Sequence, residues 1–230
     1  MGYGLRVTND SGQIQIDGTY RNLCKTDYGD NLTLTYANTA GGYFNTVNIT
    51  ASPLPPLIAI RPDPNYPVCI VGYGKTGSNY DKFYVAGSAL GNPTIDWVCY
   101  RQVPSVSADA YGLRVYDSSS NIVFDSGKTY LKIVSVTNID ISASATATQN
   151  VDHVGLNNPY YILSPQTLCV RTTSGGGGLV QWVKAGLIQV DADTVQTTWV
   201  PMLTQIGGSP GENWLCNNGL FKLIVTSYVG

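Results

Sequence analysis

Chemistry in this chain would have to run through very few side chains. His153 is the only histidine among 230 residues, and Glu212 is the only glutamate, so acid–base work would fall to aspartates. A hydrolytic triad needs just one histidine as base. Neither a Gly-x-Ser-x-Gly elbow nor a cysteine in a recognisable nucleophile setting accompanies this one. His153 stands in polar sequence and is expected in an exposed loop, solvated or hydrogen-bonded. Gly74-Lys75-Thr76 matches the end of a phosphate-binding loop, but Cys69 occupies the place of that loop's first glycine, and no strand–loop–helix pattern follows.

The other reactive types read as structural. Cys69 and Cys169 lie between aliphatic residues and are expected to be small buried hydrophobes. Cys24, Cys99 and Cys216 lack the CxxC spacing and nearby histidine of a zinc site. A glycosidase needs two facing carboxylates, one with a raised pKa, and nothing in the spacing of the aspartates selects a pair. Asp17 and Asp125 each end a strand and read as turn caps; Asp191-Ala192-Asp193 lacks the remaining ligands of a calcium loop. Solvated turn carboxylates are therefore the expectation. No catalytic, cofactor-binding or metal-binding residue is assigned, and the chain does not read as an enzyme.

What the chain does have is aromatic surface chemistry, with sixteen tyrosines and four tryptophans. Tyr66, Tyr73, Tyr80, Tyr84, Trp182, Trp199 and Trp214 fall near Gly and Asn and are expected in loops. Amphipathic aromatics of this kind serve protein interfaces and sugar-stacking platforms alike.

The elements that position these residues come in two series. Tyr3-Gly4-Leu5-Arg6-Val7 returns unchanged as Tyr111-Gly112-Leu113-Arg114-Val115, and Ile14-Gln15-Ile16-Asp17 is echoed at the same distance by Ile122-Val123-Phe124-Asp125. Pro56 to Pro62 and Pro159 to Pro165 both bound a short apolar run with prolines. Val68-Cys69-Ile70 and Leu168-Cys169-Val170 follow, and then segments ending in Ala86-Gly87 and Ala185-Gly186. Landmarks recurring in one order indicate an internal repeat. Residues 1–106 form a first module and 107–230 a second, joined by the small polar stretch Gln102 to Ala110. The second module carries an insertion near 187–219, the region most suspected of touching a partner. Leu5 and Leu113 are expected at matching core positions.

Within each module the hydrophobic period is two. Leu32-Thr33-Leu34-Thr35-Tyr36 and Val47-Asn48-Ile49-Thr50 alternate, while Tyr130 to Val136 slips by one residue, which predicts a bulge. Gly and Asn turns separate the runs, the opening pair of runs in each module reads as a hairpin, and no segment makes a convincing helix. The fold expectation is all-β, two tandem β-sandwich-like modules.

Composition narrows function further. Charged residues make up 12%, about half the usual share. A nucleic-acid binder that works through phosphates needs a basic surface, and with a net charge of −2 this chain is slightly acidic, which excludes that class. No apolar run approaches the ~20 residues of a membrane helix. Met1 to Arg6 has no basic region leading into an apolar stretch, so synthesis and residence in the cytosol are expected, and the sequons at Asn9, Asn31 and Asn48 carry no weight.

The opening of the second module, Tyr111 to Gly127 with Val-Phe-Asp-Ser-Gly at its end, resembles minor tail proteins of tailed bacteriophages. The likeness continues to Val134, and a degenerate form covers Tyr3 to Asp17. The resemblance implies a virion structural protein of the phage tail tip or baseplate, made in the host bacterial cytoplasm. It implies other tail proteins as partners and a homo-oligomer of threefold or sixfold symmetry. The alternative is a receptor-binding or carbohydrate-binding tail protein that contacts a host surface glycan or protein during host attachment.

Overall fold

A computed structural model describes residues 6–8, 14–17, 22–37, 43–87, 91–102, 105–140, 147–164, 168–173, 179–206, 214–215 and 220–227. Every regular element among them is a strand. The first half contains β1 (Arg6–Thr8), β2 (Ile14–Asp17), β3 (Leu23–Thr33), β4 (Tyr36–Ala37), β5 (Tyr43–Ser52), β6 (Leu57–Arg61), β7 (Val68–Thr76), β8 (Asn79–Gly87) and β9 (Thr94–Gln102). The second contains β10 (Arg114–Tyr116), β11 (Ile122–Asp125), β12 (Lys132–Asp140), β13 (Gln149–Asp152), β14 (Pro159–Ser164), β15 (Leu168–Thr173), β16 (Leu179–Asp191), β17 (Thr194–Ile206), β18 (Trp214–Leu215) and β19 (Leu220–Ser227). The all-β expectation holds. Gly155 to Leu163 is a turn running into β14.

Two large antiparallel sheets pack face to face, and both run through the two halves. One has the order β12-β19-β14-β6-β9-β3, the other β13-β17-β16-β7-β8-β5-β4 with β15 and β18 attached to β16. The first half supplies β3-β9-β6 and the second β12-β19-β14. Those trios join where β14 meets β6 at Tyr161 and Ile60. In the other sheet β16 meets β7 at Leu187 and Val68. Each trio sets its last strand in sequence, β9 or β19, between the other two. In the other sheet β17 stands between β16 and β13, whereas β8 pairs directly with β5.

The hairpins repeat in register. β1 and β2 pair Arg6 with Asp17 and Val7 with Ile16, and the register shifts after Val7. β10 and β11 pair Arg114 with Asp125 and Val115 with Phe124, and the register shifts after Val115. Bulges also fall at matching places in the next strands, between Lys25 and Asp27 in β3 and between Ile133 and Ser135 in β12. The latter is the slip expected from the alternation.

One core spans both halves. Ile58, Ile95, Trp97, Tyr161 and Val225 from one sheet meet Val47, Val68, Phe83, Leu187 and Val195 from the other. Phe83 sets its ring edge-on to Trp97, with centroids 5.1 Å apart, tying the sheets together. Such a contact adds about 1 kcal/mol beyond simple burial. A second cluster, Ala59, Val98, Tyr100, Tyr160 and Ile162 with Leu23 and Leu131 against it, lies on the opposite face of the six-stranded sheet. These residues come from strands across the whole sheet, so the sheet curls around them. The curl is fastened at one end: the Lys25 amide donates to Thr129 O (2.8 Å) and the Leu131 amide to Leu23 O (2.9 Å), immediately before β12 begins. Both faces of β9 are therefore covered, which is why Ile95 to Tyr100 reads as an unbroken buried run.

Leu113 departs from expectation. It is 47% exposed, whereas Val115 and Val123 are buried. The ladder of the second hairpin begins only at Arg114, so Leu113 precedes the alternation that turns Val115 inward. Leu5 lies outside the described residues.

Candidate functional site

His153 is buried, not exposed as the sequence suggested. Its amide donates to Asp193 O (2.8 Å), which pins the residue under the β16–β17 turn. Its Nε2 shares a hydrogen bond with the Tyr161 hydroxyl, and its Nδ1 has no partner. Burial pushes the Tyr161 phenol well above the usual tyrosine range. The histidine thus meets a phenol that resists ionisation, with no serine or cysteine in the contact. Polar neighbours such as Asp152 and Asn157 masked this buried position in the sequence.

The aspartates are turn and loop anchors, but several are buried rather than solvated. Asp125 is 2% exposed. It accepts from the Ser107 amide (2.6 Å), the Ser107 hydroxyl (3.0 Å) and the Gly127 amide (2.9 Å), and pairs with Arg114 at 3.4 Å. The Ser107 amide foremost, with Gly127 and the Arg114 charge, outweighs desolvation and holds its carboxyl down to about 2. Arg114 also donates to Ser107 O and Asp109 O, so hairpin and linker form one unit. Asp63 accepts from the amides of Asn65, Tyr66 and Thr94, and Asp96 from Asn31 while pairing with Arg61. Asp191 accepts from the Asp193 amide (2.8 Å) within a tight hairpin turn. The recurrence of Arg and Asp at matching places could have flagged the Arg114–Asp125 pair, because the two are cross-strand partners.

Cys24, Cys69 and Cys99 are buried free thiols, as expected of Cys69. Burial raises the Cys99 thiol to about 11 and the Cys24 thiol in the same direction. Of Cys169 the backbone alone is described, and Cys216 lies outside the described residues. Among the described residues no group of three or more His, Cys, Asp or Glu stands together as a metal site. Gly74-Lys75-Thr76 ends β7 and turns into β8, a hairpin instead of a phosphate loop.

The aromatic residues expected in loops mostly occupy strands. Tyr73 lies in β7, and Tyr80 and Tyr84 lie in β8, where Tyr84 stacks on Phe44. Trp182, Trp199 and Trp214 lie in β16, β17 and β18, although their side chains are outside the described residues. Tyr66 does sit in the loop after β6. A period-two ladder with polar outward positions looks like loop sequence when read locally.

Among the described residues, two clefts are candidate sites. The first, about 440 Å³, lies at the seam between the halves and is lined by Arg61, Pro64, Asn157, Asn158, Gln189 and Asp191 among others. Its one cation, Arg61, is already matched by Asp96. The second, about 380 Å³, opens where the curled sheet is fastened, and its lining includes Lys25, Thr26, Thr50, Ser52, Arg101 and Lys128. Arg101 projects from β9 and is 2% exposed. Its guanidinium donates to Thr50 O and to Tyr80 O (3.3 Å), bridging the sheets, while its Nε has no partner. Asp27 accepts from the Thr50 amide (2.9 Å) and hydroxyl (2.6 Å) through Oδ1, while its Oδ2 has no partner. Burial pushes the Asp27 carboxyl up, but Thr50, Thr26 and the Arg101 charge bring it below its ordinary value. Of the lining, three side chains are cationic and none is acidic.

No helix among the described residues is long and apolar enough to cross a membrane. Comparison with protein-family models, curated proteins and solved structures found no match to this chain.

Proposed function

We propose that this protein is a structural component of a phage tail tip or baseplate, held in the particle by protein–protein contacts. The observation that carries the reading is the second hairpin. It bears the tail-protein resemblance, lies outside both large sheets, and exposes Tyr111 (93%), Leu113 (47%) and Tyr116 (48%). Exposed apolar side chains grouped on one element mark an interaction surface. β12 adds Ile133, Val134 and Val136, all more than 40% exposed, on an edge strand of the six-stranded sheet. An edge with apolar side chains is a template for pairing with a neighbouring chain. The low charge of the chain accords with a surface covered by other subunits, since interfaces are depleted in Lys and Glu. The partners in this reading are other tail proteins and further copies around a threefold or sixfold axis.

The test is to purify particles, identify their proteins by mass spectrometry, and locate this chain with a gold-labelled antibody. Label at the distal end of the tail is the expected result; absence of the chain from particles rejects the reading. A second reading, contact with a host-surface glycan, is favoured by one observation: the cleft beside Lys25 and Lys128 is basic in a chain of net charge −2.

A further inference from the structure

We infer that the cleft between β3, the end of β5 and the β11–β12 turn binds the oxyanion of an acidic sugar, carried as a phosphate or a carboxylate. The inference deepens the host-glycan reading and rests on the chemistry of the lining.

Charge comes first. Lys25, Arg101 and Lys128 converge on a single concavity, although the whole chain has only thirteen Lys and Arg residues. Of the two acids nearest to it, Asp27 acts on Arg101 and offsets part of that charge, its Oδ2 having no hydrogen-bond partner. Asp27 is held by Thr50, and Asp125 by Ser107, Gly127 and Arg114. Field lines between low-dielectric walls are focused in such a concavity, so an anion gains more there than on an open surface.

Preorganisation comes second. Arg101 is fixed by two backbone carbonyls, and Lys25 rests 4.5 Å over the ring of Tyr28. The Lys128 amide donates to Asp125 O, fixing the turn that presents it. The buried Nε of Arg101 lacks a partner, which an arriving anion or its water would offset electrostatically.

The hydroxyls select a sugar over a bare anion. Thr26 donates to Cys99 O and Thr50 to Asp27, leaving oxygen lone pairs as acceptors. The Ser52 hydroxyl accepts from the Leu54 amide and keeps its proton to donate. Acceptors and a donor together match sugar hydroxyls, whereas a bare oxyanion would use donors alone. At about 380 Å³ the cleft is of small-ligand size.

The experiment uses the full chain and four probes: glucose 6-phosphate, glucuronate, glucose and inorganic phosphate, each titrated calorimetrically and by NMR. Both charged sugars are expected to bind, to shift resonances of Lys25, Lys128 and Ser52, and to weaken as salt rises. Lys128→Ala should weaken them about tenfold, the loss expected for one charge-assisted hydrogen bond. Lys25→Ala serves as a second variant, and unchanged thermal unfolding of both shows that the fold survives. Preference for one charged sugar identifies the oxyanion as phosphate or carboxylate. The inference is overturned by binding of none of the probes, by glucose binding as well as the charged sugars, or by phosphate alone binding as tightly as its sugar ester. It is overturned too if an acidic peptide, added as a competitor in a further titration, displaces both charged sugars more tightly than they bind. Each of these outcomes is independent of whether the chain is found in a particle.

Discussion

Asp125 shows how much one side chain can organise here. Its carboxylate fastens the linker to the second hairpin through Ser107, Gly127 and Arg114. With a folded pKa of about 2, below its unfolded value, it stabilises the fold above pH ~4, and that stabilisation is lost as pH falls toward 2. Asp125→Asn should flatten this part of the stability–pH curve and cost on the order of 2 kcal/mol at neutral pH, measured by urea unfolding at several pH values. A second expectation contrasts neighbours. Leu113→Ala should change stability by less than about 0.5 kcal/mol because the side chain is half exposed. Val123→Ala, fully buried in the same hairpin, should cost about 1–3 kcal/mol. A third concerns thiols: at pH 8 iodoacetamide should leave Cys24, Cys69 and Cys99 unmodified until urea is added, as read by peptide mass mapping. At this scale the sequence disclosed the inert cysteine Cys69 and the turn role of Asp125. It concealed the burial of His153 and the exposure of Leu113, because both depend on which element covers which.

Elements were legible where alternation or turns mark them. Leu32 to Thr35 and Val47 to Thr50 alternate inward and outward as their sequence requires, and the bulge in β12 falls where the period slips. The curl of the six-stranded sheet was not legible. Its sign in the sequence, the continuous run Ile95 to Tyr100, is compatible with any doubly covered strand. The recurring Ala-Gly is explained by close approach. A Cβ on Gly186 would stand 2.7 Å from Val68 O, at the point where β16 reaches across to β7. A Cβ on Gly87 would press on Pro93 and Leu34. Gly186→Ala should therefore force the seam apart and destabilise by about 1–3 kcal/mol in thermal or urea unfolding, with Gly72→Ala, where a methyl meets nothing within 4 Å, as the mild comparison.

On the scale of the molecule, the two halves share their sheets and their core. Calorimetry of the full chain should show one cooperative transition, and residues 1–106 alone should lack it, because Val68, Ile60 and Trp97 lose neighbours from the other half. The order of repeated landmarks was readable from the chain, but the sharing was not: repeated sequence says what each half contains and nothing about the face it turns to its counterpart.

That shared face has a particular geometry. β6 and β14 run antiparallel beside one another, as do the segments around Cys24 and Tyr130. Antiparallel contact between like strands is the arrangement a twofold axis imposes on identical subunits. Cutting the present chain within its linker should accordingly leave two fragments that travel together through a sizing column.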